Sequence, residues 1–148
     1  MENDMPQISR SALVPFSVEQ MYNLVNDVDA YPQFLPGCTG SRILEQSPDS
    51  MIAAVDVSKA GISKTFTTRN MLISNQRIDM QLVDGPFRKL MGGWNFIALS
   101  SEACKVELNL DFEFTNKLIE LAFGKIFKEL AGSMVQAFTL RAKEVYIA

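Results

Sequence analysis

The sequence has 148 residues, of which 47% are hydrophobic and 21% charged. This balance is typical of a folded domain and excludes a disordered chain. The net charge of −3 is opposite to the basic excess of proteins that grip nucleic acid non-specifically. The absence of histidine removes the commonest general base and the commonest zinc ligand. We therefore expect no catalytic residue and no metal site.

The chain has the features of one cytoplasmic domain covering residues 1–148. Its N-terminus, "MENDMPQISR", is acidic and lacks the basic and apolar regions of a secretion signal. No apolar run approaches the roughly 20 residues that a membrane-spanning helix needs. In a reducing compartment, Cys38 and Cys104 are expected to be small buried side chains instead of a disulfide.

The first predicted elements are a strand and a helix. "ISRSALV" is short and apolar enough for a first strand, and "PFSVEQMYNLV" follows as a helix. Ser17 and Gln20 have the spacing of a capping box. Phe16 and Met21 match the hydrophobic staple that often surrounds such a cap.

The apolar residues of "YPQFLPGC" stand between two prolines. Because Pro32 and Pro36 interrupt helices and strands, we expect Tyr31, Phe34 and Leu35 to lie on a rigid corner. Two interpretations are open. The corner is either a lid that closes one end of the core or the wall of a ligand cavity at its mouth.

Several later segments alternate between apolar and polar residues, as strands do. The clearest is "KVELNLDFEF", and "RIDMQLV" has the same pattern. "MIAAVDV" and "ISKTFTTRNMLI" are weaker examples, and "GWNFIAL" adds an apolar run. Turn signals such as "KAG", "SNQ" and "DGP" separate them. Short connections of this kind predict an antiparallel meander with one buried face.

The segment "GPFRKLMGGWNF" also has two interpretations. Its large apolar residues either point into the core, or they form a flexible lip over residues 85–94 that touches a membrane surface. In the second case Arg88 and Lys89 would meet anionic headgroups. The lip residues in question are Phe87, Leu90, Met91 and Trp94.

The last thirty residues predict one long helix. Thr115 or Asn116 can cap its start, and about 28 residues give a length of roughly 42 Å. A helix of this length fits across one curled sheet, so the fold class is α+β. Gly124 and Gly132 make the helix thin, which suits either close packing on the sheet or an apolar cavity beneath it. The apolar stripe comprises Ile119, Phe123, Ile126, Leu130, Met134, Ala137 and Phe138.

In this order, "YPQFLPGC", "GPFRKLMGGW" and "FGKIFKELAGSMVQAFTLRAKEVY" resemble the coenzyme Q-binding, polyketide cyclase-like family of START-like proteins. The resemblance covers about residues 6–147. It implies a helix-grip fold, in which a curved antiparallel sheet of six to seven strands wraps around a long C-terminal helix. Two short helices would follow strand 1.

The resemblance also implies a function without enzymatic turnover. The family is associated with binding ubiquinone or a similar polyprenyl lipid in a tunnel between sheet and helix, supporting respiratory electron transport. The lipid is then a ligand and not a catalytic cofactor, and the protein would work at or near the inner membrane. The alternative comes from a bacterial branch whose members are toxins. They bind the large (50S) ribosomal subunit and block its association into 70S ribosomes.

Carried over to this sequence, the resemblance predicts which residues form the tunnel. The residues bordering its mouth would be Tyr31, Phe34, Leu35 and Pro36, with Phe87 and Trp94 nearby. The wall residues would be Phe66, Phe112, Phe123, Phe127 and Met134. A third hypothesis is a cyclase-like enzyme, which requires a tyrosine or carboxylate of perturbed pKa in the cavity.

Overall fold

The computed structural model describes residues 6–146. The expectations about the extreme N-terminus and about the limits of the 1–148 domain extend to residues outside this range. The elements, in chain order, are β1 (Gln7–Val14), α1 (Val18–Asn26), a 3-10 helix (Val28–Gln33), β2 (Cys38–Ser47), β3 (Ser50–Lys59), β4 (Ile62–Ile73), β5 (Arg77–Asp84), β6 (Phe87–Ser100), β7 (Ala103–Phe114) and α2 (Lys117–Tyr146).

The seven strands form one antiparallel sheet in the order β1-β7-β6-β5-β4-β3-β2. From β2 to β7 each strand pairs with the next along the chain, as the closely spaced alternating segments predict. The exception is β1, which pairs with β7 and places Ile8 opposite Leu110. The predicted α+β architecture of a curved sheet with a long C-terminal helix is confirmed.

Strand β2 is absent from the sequence-based expectations. Its sequence, "CTGSRILEQS", does not alternate cleanly between apolar and polar residues. Register shifts between Cys38 and Gly40 and between Ile43 and Glu45 interrupt the pattern. Since β2 lies at the edge of the sheet, it needs less apolar surface than an internal strand.

The segment 85–94 is not a flexible lip. Strand β6 begins at Phe87, and this residue, Leu90 and Trp94 are all at most 5% exposed. Arg88 pairs with Glu113 at 3.1 Å across the neighbouring strand. The aromatic side chains therefore belong to the core, as the first interpretation predicts, whereas Met91 is 46% exposed. A membrane contact of residues 85–94 stays a prediction.

Two consecutive glycines let strand β6 approach both of its neighbours. Gly92 has a φ of +137°, and a Cβ added there would lie 2.0 Å from the carbonyl oxygen of Asn109 on β7. A Cβ on Gly93 would lie 2.0 Å from the carbonyl oxygen of Ile78 on β5. Side chains at these positions are excluded by backbone atoms, so glycine is required for β6 to pair this closely with β5 and β7.

Helix α1 begins with the predicted capping box. The Ser17 amide donates to Oε1 of Gln20 at 2.9 Å, and the Gln20 amide donates to Oγ of Ser17 at 3.1 Å. Phe16 and Met21 are both buried, as expected of a staple. The capping prediction is confirmed.

Of the two prolines expected to interrupt helical structure in the corner after α1, Pro32 does not do so. Pro32 lies within the 3-10 helix Val28–Gln33. A φ near −65° suits a 3-10 helix, and a single short turn loses little when one N–H is missing. Tyr31 therefore lies in a helix, while Phe34 ends it. The two predicted short helices after strand 1 are present.

Helix α2 packs its apolar side onto the concave face of the sheet. Of the two candidate caps, Asn116 is the one used: its Oδ1 accepts from the Ile119 amide at 2.9 Å. Phe123, Phe127 and Phe138 are at most 2% exposed. The 30-residue helix is about 45 Å long, enough to cross the whole sheet.

We expect acid to weaken a polar cluster on the outer face of the sheet. Nη1 of Arg42 donates to Asp56 at 3.0 Å and Oγ1 of Thr65 donates at 2.6 Å. These bonds lower the pKa of Asp56 below its usual value, Arg42 having the larger effect. A lowered carboxyl pKa stabilises the fold above the unfolded-state pKa, near 3.9, and this contribution is lost as the pH falls through the folded-state value.

The partly exposed site limits the effect to about 1 kcal/mol or less. Urea unfolding at pH 6 and pH 3 should show a smaller pH dependence for Asp56→Asn than for the native chain. Asp84→Asn, a carboxylate without such hydrogen bonds among residues 6–146, is the control. Equal pH dependence in the native chain and Asp56→Asn would contradict the prediction.

Candidate ligand cavity

An apolar cavity lies between the concave face of the sheet and α2. The 3-10 helix closes one side of it, and side chains from strands β3 to β7 form its floor. Its volume is about 60 Å³. The lining residues are Val28, Tyr31, Leu35, Ala53, Val55, Phe66, Thr68, Asn70, Met80, Leu90, Trp94, Leu110, Phe127, Leu130, Ala131 and Met134.

The structure brings six of the eleven predicted tunnel residues together around this cavity. They come from four separate elements: the 3-10 corner, β4, β6 and α2. Whether they bind a ligand stays a prediction. The six residues are Tyr31, Leu35, Phe66, Trp94, Phe127 and Met134.

Three other predicted residues lie behind the wall, in an aromatic cluster centred on Phe127. The ring centroids of Phe87 and Phe112 lie 4.8 and 4.9 Å from that of Phe127, and the Phe123 centroid lies at 6.2 Å. All four side chains are at most 5% exposed. Phe87, Phe112 and Phe123 thus hold the wall in place without lining the cavity.

The last two predicted residues, Phe34 and Pro36, line a groove on the outer side of the corner. Phe34 packs on Phe138 with centroids 5.1 Å apart, and the Arg141 guanidinium lies 5.2 Å from the Phe34 ring. Nη2 of Arg141 also donates to Oε1 of Gln33 at 2.9 Å. These contacts hold the corner against α2 and close the cavity on that side.

Tyr31 is a tyrosine of perturbed pKa in the cavity wall, the feature that the cyclase hypothesis requires. Burial raises the pKa of its hydroxyl, and Cys38 and Asp27 raise it further. The hydroxyl donates to the backbone carbonyl of Val25. A raised pKa keeps Tyr31 protonated at neutral pH, and its proton is committed to the backbone, so its position serves packing better than proton transfer.

Two polar residues of the lining, Thr68 and Asn70, were not predicted from the sequence. Both are 8% exposed, and Oγ1 of Thr68 donates to Oδ1 of Asn70 at 2.8 Å. A usable signal was present in "ISKTFTTRNMLI". Strand alternation puts both residues on the same face as Phe66 and Leu72.

The cavity combines neutral chemistry with a small size. None of its described lining residues is charged. Its 60 Å³ is well below the roughly 150 Å³ of a cavity that admits benzene. A ring-sized ligand therefore requires the corner or the helix to move.

Other chemical features of the described chain are limited. Within residues 6–146, no three His, Cys, Asp or Glu side chains cluster as metal ligands would. Cys38 and Cys104 are buried free thiols, and burial raises the pKa of both. No described helix combines the length and apolarity needed to span a membrane.

With this fold and cavity, the chain belongs to the family described as polyketide cyclase/dehydrase and lipid transport, whose profile matches residues 14–139. The solved structure of the Zhui aromatase/cyclase from Streptomyces sp. R1128 has a similar fold. That structure superposes with a TM-score of 0.83 at 18% identity, over 97% of each chain.

Within the family, the chain is similar to bacterial toxins. It is 77% identical over all 148 residues to the ribosome association toxin RatA of Escherichia coli strain K12, covering 94% of that protein. A more distant relative is the mitochondrial coenzyme Q-binding protein COQ10 homolog B of Xenopus laevis. That protein is 27% identical over 95% of this chain and 59% of its own length.

Proposed function

We propose that the chain is a toxin of ribosome association, which binds the large ribosomal subunit in the cytoplasm and blocks formation of 70S ribosomes. The observation that carries this proposal is the 77% identity to a ribosome association toxin over the whole chain. The sequence alone favoured ubiquinone binding as the main function and ribosome binding as the alternative. The identity to a ribosome association toxin makes the alternative the preferred function.

The chemistry of the chain is compatible with this role. Blocking subunit association needs a binding surface and no catalytic group, and no carboxylate lines the described cavity. The net charge of −3 favours contact with a ribosomal protein over non-specific contact with rRNA. Local cations are still available on α2, where Lys125 and Lys128 are exposed and form no salt bridge among the described residues.

Overproduction of the chain in its own host should shift sucrose-gradient profiles from 70S ribosomes towards free subunits. The paired change Lys125→Glu/Lys128→Glu should weaken large-subunit binding by roughly two- to tenfold, the range expected for two exposed ion pairs. Lys143→Glu, near the other end of the same helix, is the matched control. An unchanged ribosome profile on overproduction of folded native chain would refute the proposed function.

A second function, non-enzymatic binding of a hydrophobic ligand, is proposed for the cavity. It is supported by the apolar lining and by the distant relationship to a coenzyme Q-binding protein. The two functions are compatible because one uses the surface and the other the interior. The chain would hold the ligand without turnover, since the Tyr31 hydroxyl is bound to the backbone.

Native mass spectrometry of the chain from its own cytosol, followed by solvent extraction, tests this second function. We expect a released polyprenyl quinone or related lipid. Met134→Trp should reduce the bound lipid by about tenfold, because the larger ring fills the cavity from α2. Gln136→Trp, on the exposed side of the same helix, should keep it. An empty native protein would count against ligand binding and leave the ribosomal function untouched.

A further inference from the structure

The core holds two polar side chains in a place where apolar residues would pack more simply. Apart from tyrosine and cysteine, Thr68 and Asn70 are the buried polar residues of the described chain. Both lie on β4 and both line the cavity. Their neighbours in the lining include Phe66, Met80 and Leu130. The polar pair is thus one local feature in an otherwise apolar wall.

The hydrogen bonding of this pair is incomplete. Thr68 donates its hydroxyl proton to Oδ1 of Asn70 at 2.8 Å. Across residues 6–146, the Asn70 amide nitrogen has no hydrogen-bond partner. A primary amide offers two N–H donors, and this nitrogen is not among the fully buried unpaired atoms of residues 6–146, so it keeps some accessible surface. The amide is therefore available to whatever occupies the cavity.

We infer that Asn70 anchors a neutral ligand through a hydrogen-bond acceptor, such as a carbonyl oxygen, while the apolar part of the ligand lies against α2. This inference rests on the second function proposed above. The amide N–H group donates to the acceptor oxygen, and Thr68 holds the amide by its other end. Leu130, Ala131 and Met134 form the apolar side opposite the polar pair.

The surroundings set the charge and size of this ligand. An anionic ligand would find one amide and no cation in the lining, so a charged group would remain largely uncompensated. The closed cavity has room for roughly two water molecules at about 30 Å³ each. A ring-sized ketone therefore needs the corner at Tyr31 and Leu35, or α2, to move, and the head group of a polyprenyl quinone needs a larger displacement of the same elements.

Matched probes distinguish hydrogen-bond recognition from simple apolar binding. Cyclohexanone and methylenecyclohexane have similar shapes, but only the ketone has an acceptor oxygen. Ubiquinone-1 tests the larger source of the same carbonyl chemistry. NMR titration of the ¹⁵N-labelled full chain follows the side-chain amide of Asn70, which is assigned by its absence in Asn70→Leu. The ketone should shift this signal, and methylenecyclohexane should leave it in place.

Substitution provides the second readout. Asn70→Leu should weaken ketone binding by about three- to tenfold and leave alkene binding equal or tighter. Thr68→Val/Asn70→Leu removes both partners together and keeps the measurement usable if the single variant folds poorly. Asn95→Leu is the control, because residue 95 pairs with Glu107 and Arg77 away from the cavity lining.

The outcomes separate the anchor from the ligand-binding function. A shift of the Asn70 amide signal with only cyclohexanone, or with only ubiquinone-1, supports Asn70 as the anchor. It also shows which of the two carbonyl compounds fits the cavity. Equal binding of ketone and alkene with an unmoved Asn70 signal overturns the anchor but leaves apolar binding intact. Failure of all three probes to bind overturns both.

Discussion

Gly92→Ala should destabilise the chain by about 4 kcal/mol or more, a large part of the roughly 5–15 kcal/mol by which typical domains are stable. The new Cβ would lie 2.0 Å from the Asn109 carbonyl oxygen and 2.9 Å from Cα of Leu110. Both obstacles are backbone atoms of β7, so relief requires the two strands to separate. The φ of +137° adds strain that glycine avoids.

Gly124→Ala is the matched control for this experiment. Its Cβ would meet the Phe114 ring at 3.5 Å, which is ordinary contact, and alanine is favoured over glycine inside a helix by about 1 kcal/mol. Thermal and urea unfolding, followed by circular dichroism, should therefore give Gly124→Ala a stability equal to or greater than that of the native chain. A Gly92→Ala protein with native stability would show that the sheet is less tightly paired than described.

Phe127→Ala should lower the free energy of unfolding by about 3–5 kcal/mol. Phe127 is 2% exposed and touches both the cavity and the aromatic cluster behind it. Its removal deletes contacts with the rings of Phe87 and Phe112 at centroid distances of 4.8 and 4.9 Å. The empty space would also join the existing cavity and enlarge it.

Leu121→Ala provides the comparison on the same helix. Leu121 is 77% exposed, so its truncation should change the stability by less than about 0.5 kcal/mol. Urea denaturation of both variants measures the difference. Similar losses for Leu121→Ala and Phe127→Ala would argue against the described orientation of α2. If Phe127→Ala folds, its enlarged cavity should take up cyclohexanone more readily than that of the native chain.

Much of the fold could be predicted because several signals agreed. The Ser17–Gln20 spacing predicted the start of α1, and Asn116 was one of two candidate caps for α2. The alternation of "KVELNLDFEF" placed a whole strand face in the core, as the buried side of β7 shows. Periodicity therefore determined which side chains of β7 point inward.

The remaining features depend on contacts distant in sequence. Strand β2 has two irregular registers at a sheet edge, which erase the alternating pattern. The partition of aromatic residues between the cavity wall and the cluster behind it depends on how far α2 stands from the sheet. Phe112 and Phe127 were both predicted to line the tunnel, but of the two only Phe127 lines the cavity. Asn70 was not predicted as a wall residue because polar side chains are usually exposed, and only its position among apolar residues of β4 places it on the inward face.

The pairing of β1 with β7 has a consequence for synthesis of the chain. Gln7 pairs with Asp111, about a hundred positions later in the sequence, so the hydrogen bonds between β1 and β7 form only after β7 has been made. Contacts of such high sequence separation delay folding, because loop closure precedes any gain from pairing. During translation the first strand therefore remains without its partner until most of the chain has emerged. A nascent chain that ends before β7 thus lacks the finished sheet.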